Sequence, residues 1–209
     1  MSKTKVAQND GKPTWSLAKT LPWLLLIGGI IAMVASLALS IEVFDRLKNP
    51  SYVPICNLNP VLSCTSVADS AQSEVFGFPN YYIGIAGFAS LATIGLAMLA
   101  GAKFKRWFWV TLELGLLLGI GFVIWLQFQS LYRIGALCIF CMVVWAMTIP
   151  IFWYTTLHVL NEKYIKTPAQ LKKLVAFATR HHGDVLLLWF LVVIGLIVKR
   201  FWYYWSTLL

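Results

Sequence analysis

The chain has 209 residues, is 59% hydrophobic and only 12% charged, and has a mean hydropathy of +0.75. A water-soluble domain of this length could not hide so much apolar surface, so the composition excludes a soluble enzyme and calls for a bilayer. The formal charge of +9 does not indicate nucleic acid, because the basic residues sit in short clusters between apolar runs, where they act as topology signals.

In chain order, residues 1–20 form a polar, basic tail. Uncharged runs follow at residues 21–41, 75–102, 114–132 (extending back past Glu113 to Trp107) and 134–157. Each approaches or exceeds the roughly 20 residues a helix needs to cross hydrocarbon. Ser36-Leu37-Ala38 loosely resembles a cleavage site, but the uncharged length of the first run reads as a retained anchor. The predicted fold is all-α and integral to the membrane: a four-helix transmembrane bundle over residues 21–157, then a fifth transmembrane helix within 184–209. That fifth run is short, residues 185–198, and relies on Lys199 and Arg200 snorkelling and on an aromatic belt at residues 201–205.

Between the first two spans lies the one large loop, residues 44–79, broken by Pro50, Pro54 and Pro60 and carrying Cys56 and Cys64. Ser63 is a candidate cap for a short helix from Cys64 to about Val75. The chain re-enters at Phe76-Gly77-Phe78-Pro79-Asn80, where an amide at membrane depth needs a partner, in the plainest case an interhelical hydrogen bond, or else binds a ligand. The short connection at residues 101–106 makes the second and third spans antiparallel neighbours, and Glu113 is expected to snorkel or to pair with a lysine. In residues 158–183, Thr167-Pro168-Ala169-Gln170 reads as a capping box opening a basic amphipathic helix that Gly183 ends.

Lys and Arg are more numerous in the tail, at residues 103–106 and in 158–183 than in the intervening loops, which places the N-terminus in the cytoplasm of a multi-pass plasma-membrane protein. Cys56, Cys64, Cys138 and Cys141 then all fall on the outer, oxidising side. Cys138 and Cys141 form a C-x-x-C at the start of the fourth span, on one helical face and within disulfide reach, where a helix N-terminus favours the thiolate. A disulfide relay needs an exposed shuttle, a protected couple and an acceptor of high potential. Cys56 in the loop suits the first role, Cys138 and Cys141 the second, and a quinone dissolved in the bilayer the third. The alternatives are a static Cys56–Cys64 disulfide, a four-thiolate zinc site, and a membrane scaffold without catalysis.

The C-x7-C loop, Ser70 six residues beyond its second cysteine, the Phe-Gly-Phe-Pro-Asn re-entry and Cys138-Ile139-Phe140-Cys141 together resemble the vitamin K epoxide reductase family over about residues 20–157. The resemblance implies that Cys141 meets the quinone, Cys138 is its partner, Cys64 reduces Cys138, and Cys56 exchanges with a soluble thioredoxin-like protein. It also implies that Asn80 donates to a quinone carbonyl, and that Ser70 and Trp145 belong to the quinone site, with Trp145 where vertebrate members carry a tyrosine. The implied cofactor is menaquinone or ubiquinone, the implied partner a separate secreted thiol oxidase, and no metal is called for. Quinone-epoxide reduction on the same fold is the alternative reaction.

Overall fold

A long apolar run in hydrocarbon must satisfy every backbone N–H and C=O within itself, and the helix is the way a single segment does so. The computed structural model describes residues 17–165 and 168–207. Their α-helices are α1 (Leu17–Lys48), α2 (Cys64–Ala68), α3 (Tyr81–Leu99), α4 (Arg106–Gln129), α5 (Ile139–Asn161), α6 (Ala169–Arg180), α7 (His182–Arg200) and the single turn α8 (Trp202–Trp205). A 3-10 turn at Ala71–Glu74 follows α2, and a π turn at Ser130–Ile134 follows α4. Five helices, α1, α3, α4, α5 and α7, are long and apolar enough to cross a membrane, so the all-α bundle with a fifth span is what forms.

The boundaries differ from hydropathy where polar side chains find local partners. α1 continues past residue 41 to Lys48 because Glu42 and Arg46 bond to the following loop. α2 stops at Ala68, well short of Val75, because the Ser70 and Ser73 hydroxyls donate to the Val67 and Ala68 carbonyls at 2.6 Å and end the ladder. α5 begins at Ile139 rather than 134. Gly135 takes a left-handed φ of 70° and the next residues run extended, so Cys138 stands at the N-cap position (φ −104°, ψ 124°), just outside the helix.

α1 is the central helix, packing along both α3 and α5, while α4 leans on α5. Small residues let α1 and α3 approach closely: a Cβ at Gly95 would lie 2.5 Å from the Leu26 nitrogen and 2.7 Å from the Pro22 carbonyl oxygen. α3 and α4 contribute Leu91 and Leu116 to one core cluster but do not approach each other as closely as α1 and α3 do. Despite their short link, these helices stand on opposite walls of a cavity. Glu113 neither snorkels nor meets a lysine; it accepts a hydrogen bond of 2.6 Å from Thr156 of α5.

The tail is described only from Leu17, where α1 has begun, and Thr167 of the capping box lies outside the described residues. Pro168 occupies the N-cap of α6 rather than its first turn, and Gly183 lies inside α7 instead of ending α6. α7 is pinned at both ends. Trp153 Nε1 donates to the His182 carbonyl at 3.1 Å, and Arg200 Nε donates to the Leu131 carbonyl at 2.8 Å. Arg200, though exposed, is thereby tied back to the bundle. Phe201 is fully buried, leaving Trp202 and Tyr203 as the exposed aromatics.

Gly95→Ala should force α1 and α3 apart, since the atoms it meets are backbone, and should cost about 1–3 kcal/mol. Gly195→Ala, with nothing within 4 Å, should be neutral or slightly stabilising. Thermal unfolding of the two variants in detergent, set beside wild type, measures the difference.

Candidate active site

The loop between α1 and α3 has little regular structure, so its backbone groups are satisfied by side chains. Buried Glu42, near the end of α1, accepts from the Tyr52 hydroxyl and from the Ile55 N–H, both at 3.1 Å. Arg46 grips Asp69 with two nitrogens, Nη1 donating to Oδ2 at 2.7 Å. Asn59 closes an Asx turn by accepting from the Val61 and Leu62 N–H groups at 2.9 and 2.8 Å. Asn57 accepts from the Thr65 N–H at 3.2 Å and donates to its hydroxyl at 2.7 Å, while the Ser63 hydroxyl caps α2 by accepting from the Ser66 N–H at 3.2 Å.

These bonds bring the four cysteines together. Cys56 and Cys64 form a disulfide with Cα atoms 5.7 Å apart, and Cys138 and Cys141 are free thiols. The Sγ atoms of Cys64 and Cys138 are 3.1 Å apart, and Cys141 packs against the same cluster. An isolated parallel bridge sets this meeting. The Leu137 N–H donates to the Val61 carbonyl at 2.7 Å and the Ser63 N–H to the Leu137 carbonyl at 2.9 Å, so the residues next along the two segments are Cys64 and Cys138. Cys56 is not the exposed shuttle expected of a loop cysteine. It is 2% exposed, covered because the loop folds down onto the bundle.

A cavity of about 630 Å³ opens beneath the cysteines, walled by α1, α3, α4, α5 and the loop. Cys141 and Trp145 line it from α5, and Ser70 and Asn80 from the loop end. The hydroxyls along its helical walls turn away from the space: Ser36, Thr111 and Thr148 donate to the carbonyls of Ala32, Trp107 and Val144 in their own helices. Ser70 is likewise committed to Val67. Asn80 makes no interhelical bond. Its Nδ2 donates to the Gln72 carbonyl at 2.7 Å, which leaves Oδ1 buried and without a partner among the described residues. An apolar chamber of this size with one unsatisfied acceptor and a thiol at its edge fits a mostly apolar ligand carrying a few oxygens, as a quinone does.

The model of the vitamin K epoxide reductase family matches residues 23–156. The chain belongs to the vitamin K epoxide reductase family. No curated protein matches it. Membership of this reductase family makes the chain a multi-pass membrane oxidoreductase, one of a family that generally uses quinones. The match takes in all four cysteines and every cavity residue named above, and it ends before α6 and α7.

The cysteines, Ser70, Asn80 and Trp145, all singled out by the sequence, come together around this cavity, but the sequence did not show what holds them there. Asn59-Pro60 was a readable turn signal, and Glu42, a lone acid ending an uncharged run, was a readable anchor. Nothing in the sequence pairs Leu137 with Leu62, or Phe201 with either.

Hydrogen bonding to the Arg46 guanidinium holds the Asp69 carboxyl below the usual carboxylate range. A depressed folded value means that the stabilisation is complete above the unfolded value of about 3.9 and is lost as pH falls through the folded one. With the Asp69 side chain 56% exposed, the contribution is screened and modest. Hydrogen exchange of loop amides, corrected for intrinsic rates, should be flat from pH 7 to pH 5 and rise below about pH 4. Asp69→Asn should raise exchange at pH 7 and remove that part of the pH dependence.

Proposed function

We propose that the chain is a membrane thiol:quinone oxidoreductase that reoxidises a secreted thioredoxin-like thiol oxidase and delivers the electrons to menaquinone or ubiquinone, supporting disulfide formation in exported proteins. The reading rests above all on the 3.1 Å contact between Cys138 and the Cys64 end of the loop disulfide, with Cys141 beside it on an apolar cavity. The cysteine end would face outward, in keeping with the distribution of Lys and Arg.

A partner thiolate attacks Cys56 and breaks the Cys56–Cys64 bond, and the partner's second thiol resolves the mixed disulfide, leaving the loop pair reduced. Cys64 then attacks Cys138 of an oxidised Cys138–Cys141 pair, forming Cys64–Cys138 and releasing Cys141 as a thiolate. Cys56 attacks Cys64 in turn, re-forming the loop disulfide and freeing Cys138. A closed loop with both α5 thiols reduced, the arrangement described above, is the state that is ready to give up two electrons and two protons. A quinone supplies the two-electron, two-proton acceptor when bound. Cys141 lies in the first turn of α5, at the edge of the cavity, where its sulfur can reach a bound ring. Asn80 orients the ring through its amide, its unpartnered Oδ1 accepting from a ring hydroxyl once reduction is complete, and Trp145 offers a flat face.

Anaerobic quinone reduction by the purified protein with a reduced thioredoxin-like oxidase tests the assignment. Cys138→Ala and Cys141→Ala should abolish turnover, Cys56→Ala and Cys64→Ala should block electron entry from the protein partner, and Asn80→Ala, which removes a group that orients the ring, should lower kcat by about 10²-fold. An inert wild type whose four cysteines keep their alkylation pattern when the reduced partner is added would sink the relay. Consumption of a quinone epoxide in place of the quinone would reverse the reaction assigned.

A further inference from the structure

We infer that the C-terminal end of α7, through Arg200 and Phe201, positions Cys64 and Cys138 for exchange. The inference rests on the relay reading, and concerns residues beyond the part of the chain that the family model matches.

The body of α7 does not dock. None of the residues in its apolar window is buried in the bundle, so that stretch faces its surroundings like a free-standing span. Its C-terminal end behaves differently. Phe201 is wholly buried in a cluster with Val61, Leu131, Leu137 and Trp145. Val61 and Leu137 belong to the bridge that joins the loop to the approach of α5; one lies three residues before Cys64 and the other immediately before Cys138. The ring therefore shares one packed cluster with both segments that carry the reacting pair.

Arg200 holds the same region from the backbone side. The π turn at Ser130–Ile134 ends α4, and carbonyls at a helix end lack partners within the helix. Arg200 Nε donates to one of them, Leu131, at 2.8 Å. The guanidinium carbon also lies 5.9 Å from the centroid of the Phe201 ring, so the two side chains brace each other. From that turn the chain has only Gly135, Ala136 and Leu137 before Cys138. A shift of the turn is thus passed on to the sulfur.

The step being served is balanced within the chain: the Cys64 thiolate forms a bond to Cys138 Sγ, the Cys138–Cys141 bond breaks, and Cys141 leaves as the thiolate. Its rate and equilibrium depend steeply on how the two sulfurs are held, since a displacement of about 1 Å can cost about 10²-fold. Arg200 and Phe201 touch neither sulfur. They act through Leu131, Leu137 and Val61 and are positioning residues.

The test uses the full-length protein carrying Cys56→Ser and Cys141→Ser, which leaves Cys64 and Cys138 alone to pair. Equilibration with a glutathione redox buffer reads the effective concentration of one thiol at the other without quinone or protein partner. Arg200→Ala and Phe201→Leu should each lower it by about tenfold or more. Arg200→Lys, which keeps a donor for the Leu131 carbonyl, should recover part of the loss, and Trp202→Ala, at an exposed neighbour, should leave it unchanged. In the four-cysteine protein Arg200→Ala should lower kcat with the KM for quinone unchanged. Wild-type effective concentration in both Arg200→Ala and Phe201→Leu, with unfolding temperatures showing that they are folded, would overturn the positioning role. Absence of any Cys64–Cys138 disulfide with α7 intact would instead overturn the relay on which it rests.

Discussion

Two backbone hydrogen bonds, Leu137 N–H to the Val61 carbonyl and Ser63 N–H to the Leu137 carbonyl, are the constraint on which the arrangement of this molecule depends. In water each would contribute about 0.5–1.5 kcal/mol net, too little to hold a long loop on a bundle. Here both Val61 and Leu137 are almost completely buried, and separating the segments would strand donors and acceptors away from water at about 1–3 kcal/mol apiece. The bridge thereby fixes the register of two segments whose cysteines lie 74 residues apart. Shifting it by one residue would carry Cys64, which follows the bridge at the start of α2, a full residue along the chain from Cys138. The Asn59 turn, the Ser63 cap and the packing of Phe201 all keep that register.

The bundle supplies the second half of the site by what it leaves unpacked. Glycines on α1 and α3 bring these helices into backbone contact, and α5 closes on the other flank of α1, so that α4, attached to α5, stands away from α3. The gap becomes the cavity. Its character follows from the way hydroxyl groups behave in helices: each bonds to a carbonyl one turn back and presents carbon to the space. Against that background the unpartnered Asn80 oxygen is a strong local feature of the same cavity that Cys141 lines.

Most of the fold was legible because the bilayer makes hydropathy decisive: the five spans, the polar loop and the basic amphipathic helix all follow from apolar periodicity and charge. The cysteines and Asn80 were legible because few residue types can do their chemistry and their spacing is distinctive. What was not legible is the long-range pairing. Leu62 and Leu137 carry no sign of each other, since a single bridge has no periodicity, and the Arg200 side chain reads as a snorkelling cation until the π turn that exposes the Leu131 carbonyl is known. The short link between α3 and α4 said less for a related reason: loop length limits how far apart helix ends can be, but not how closely the helices pack along their length.

The loop is held unevenly, and the unevenness has a direction. Ahead of Cys56 the chain is fastened by polar bonds, Glu42 to Tyr52 and Ile55, while Val53 and Ile55 themselves stay exposed. Beyond Cys56 apolar burial is added to the polar bonds of Asn57, Asn59, Ser63 and Asp69, with Val61 and Cys64 in the core. Local opening follows the weaker fastening, where few apolar contacts are lost. An excursion of residues 49–55 would uncover Cys56 while the disulfide kept both its sulfurs, and Cys64, seated against Cys138. On the proposed relay, Cys56 would then be the sulfur that meets the partner and Cys64 the one that meets the couple within the bundle, and the direction of exchange would follow from how unevenly the loop is fastened.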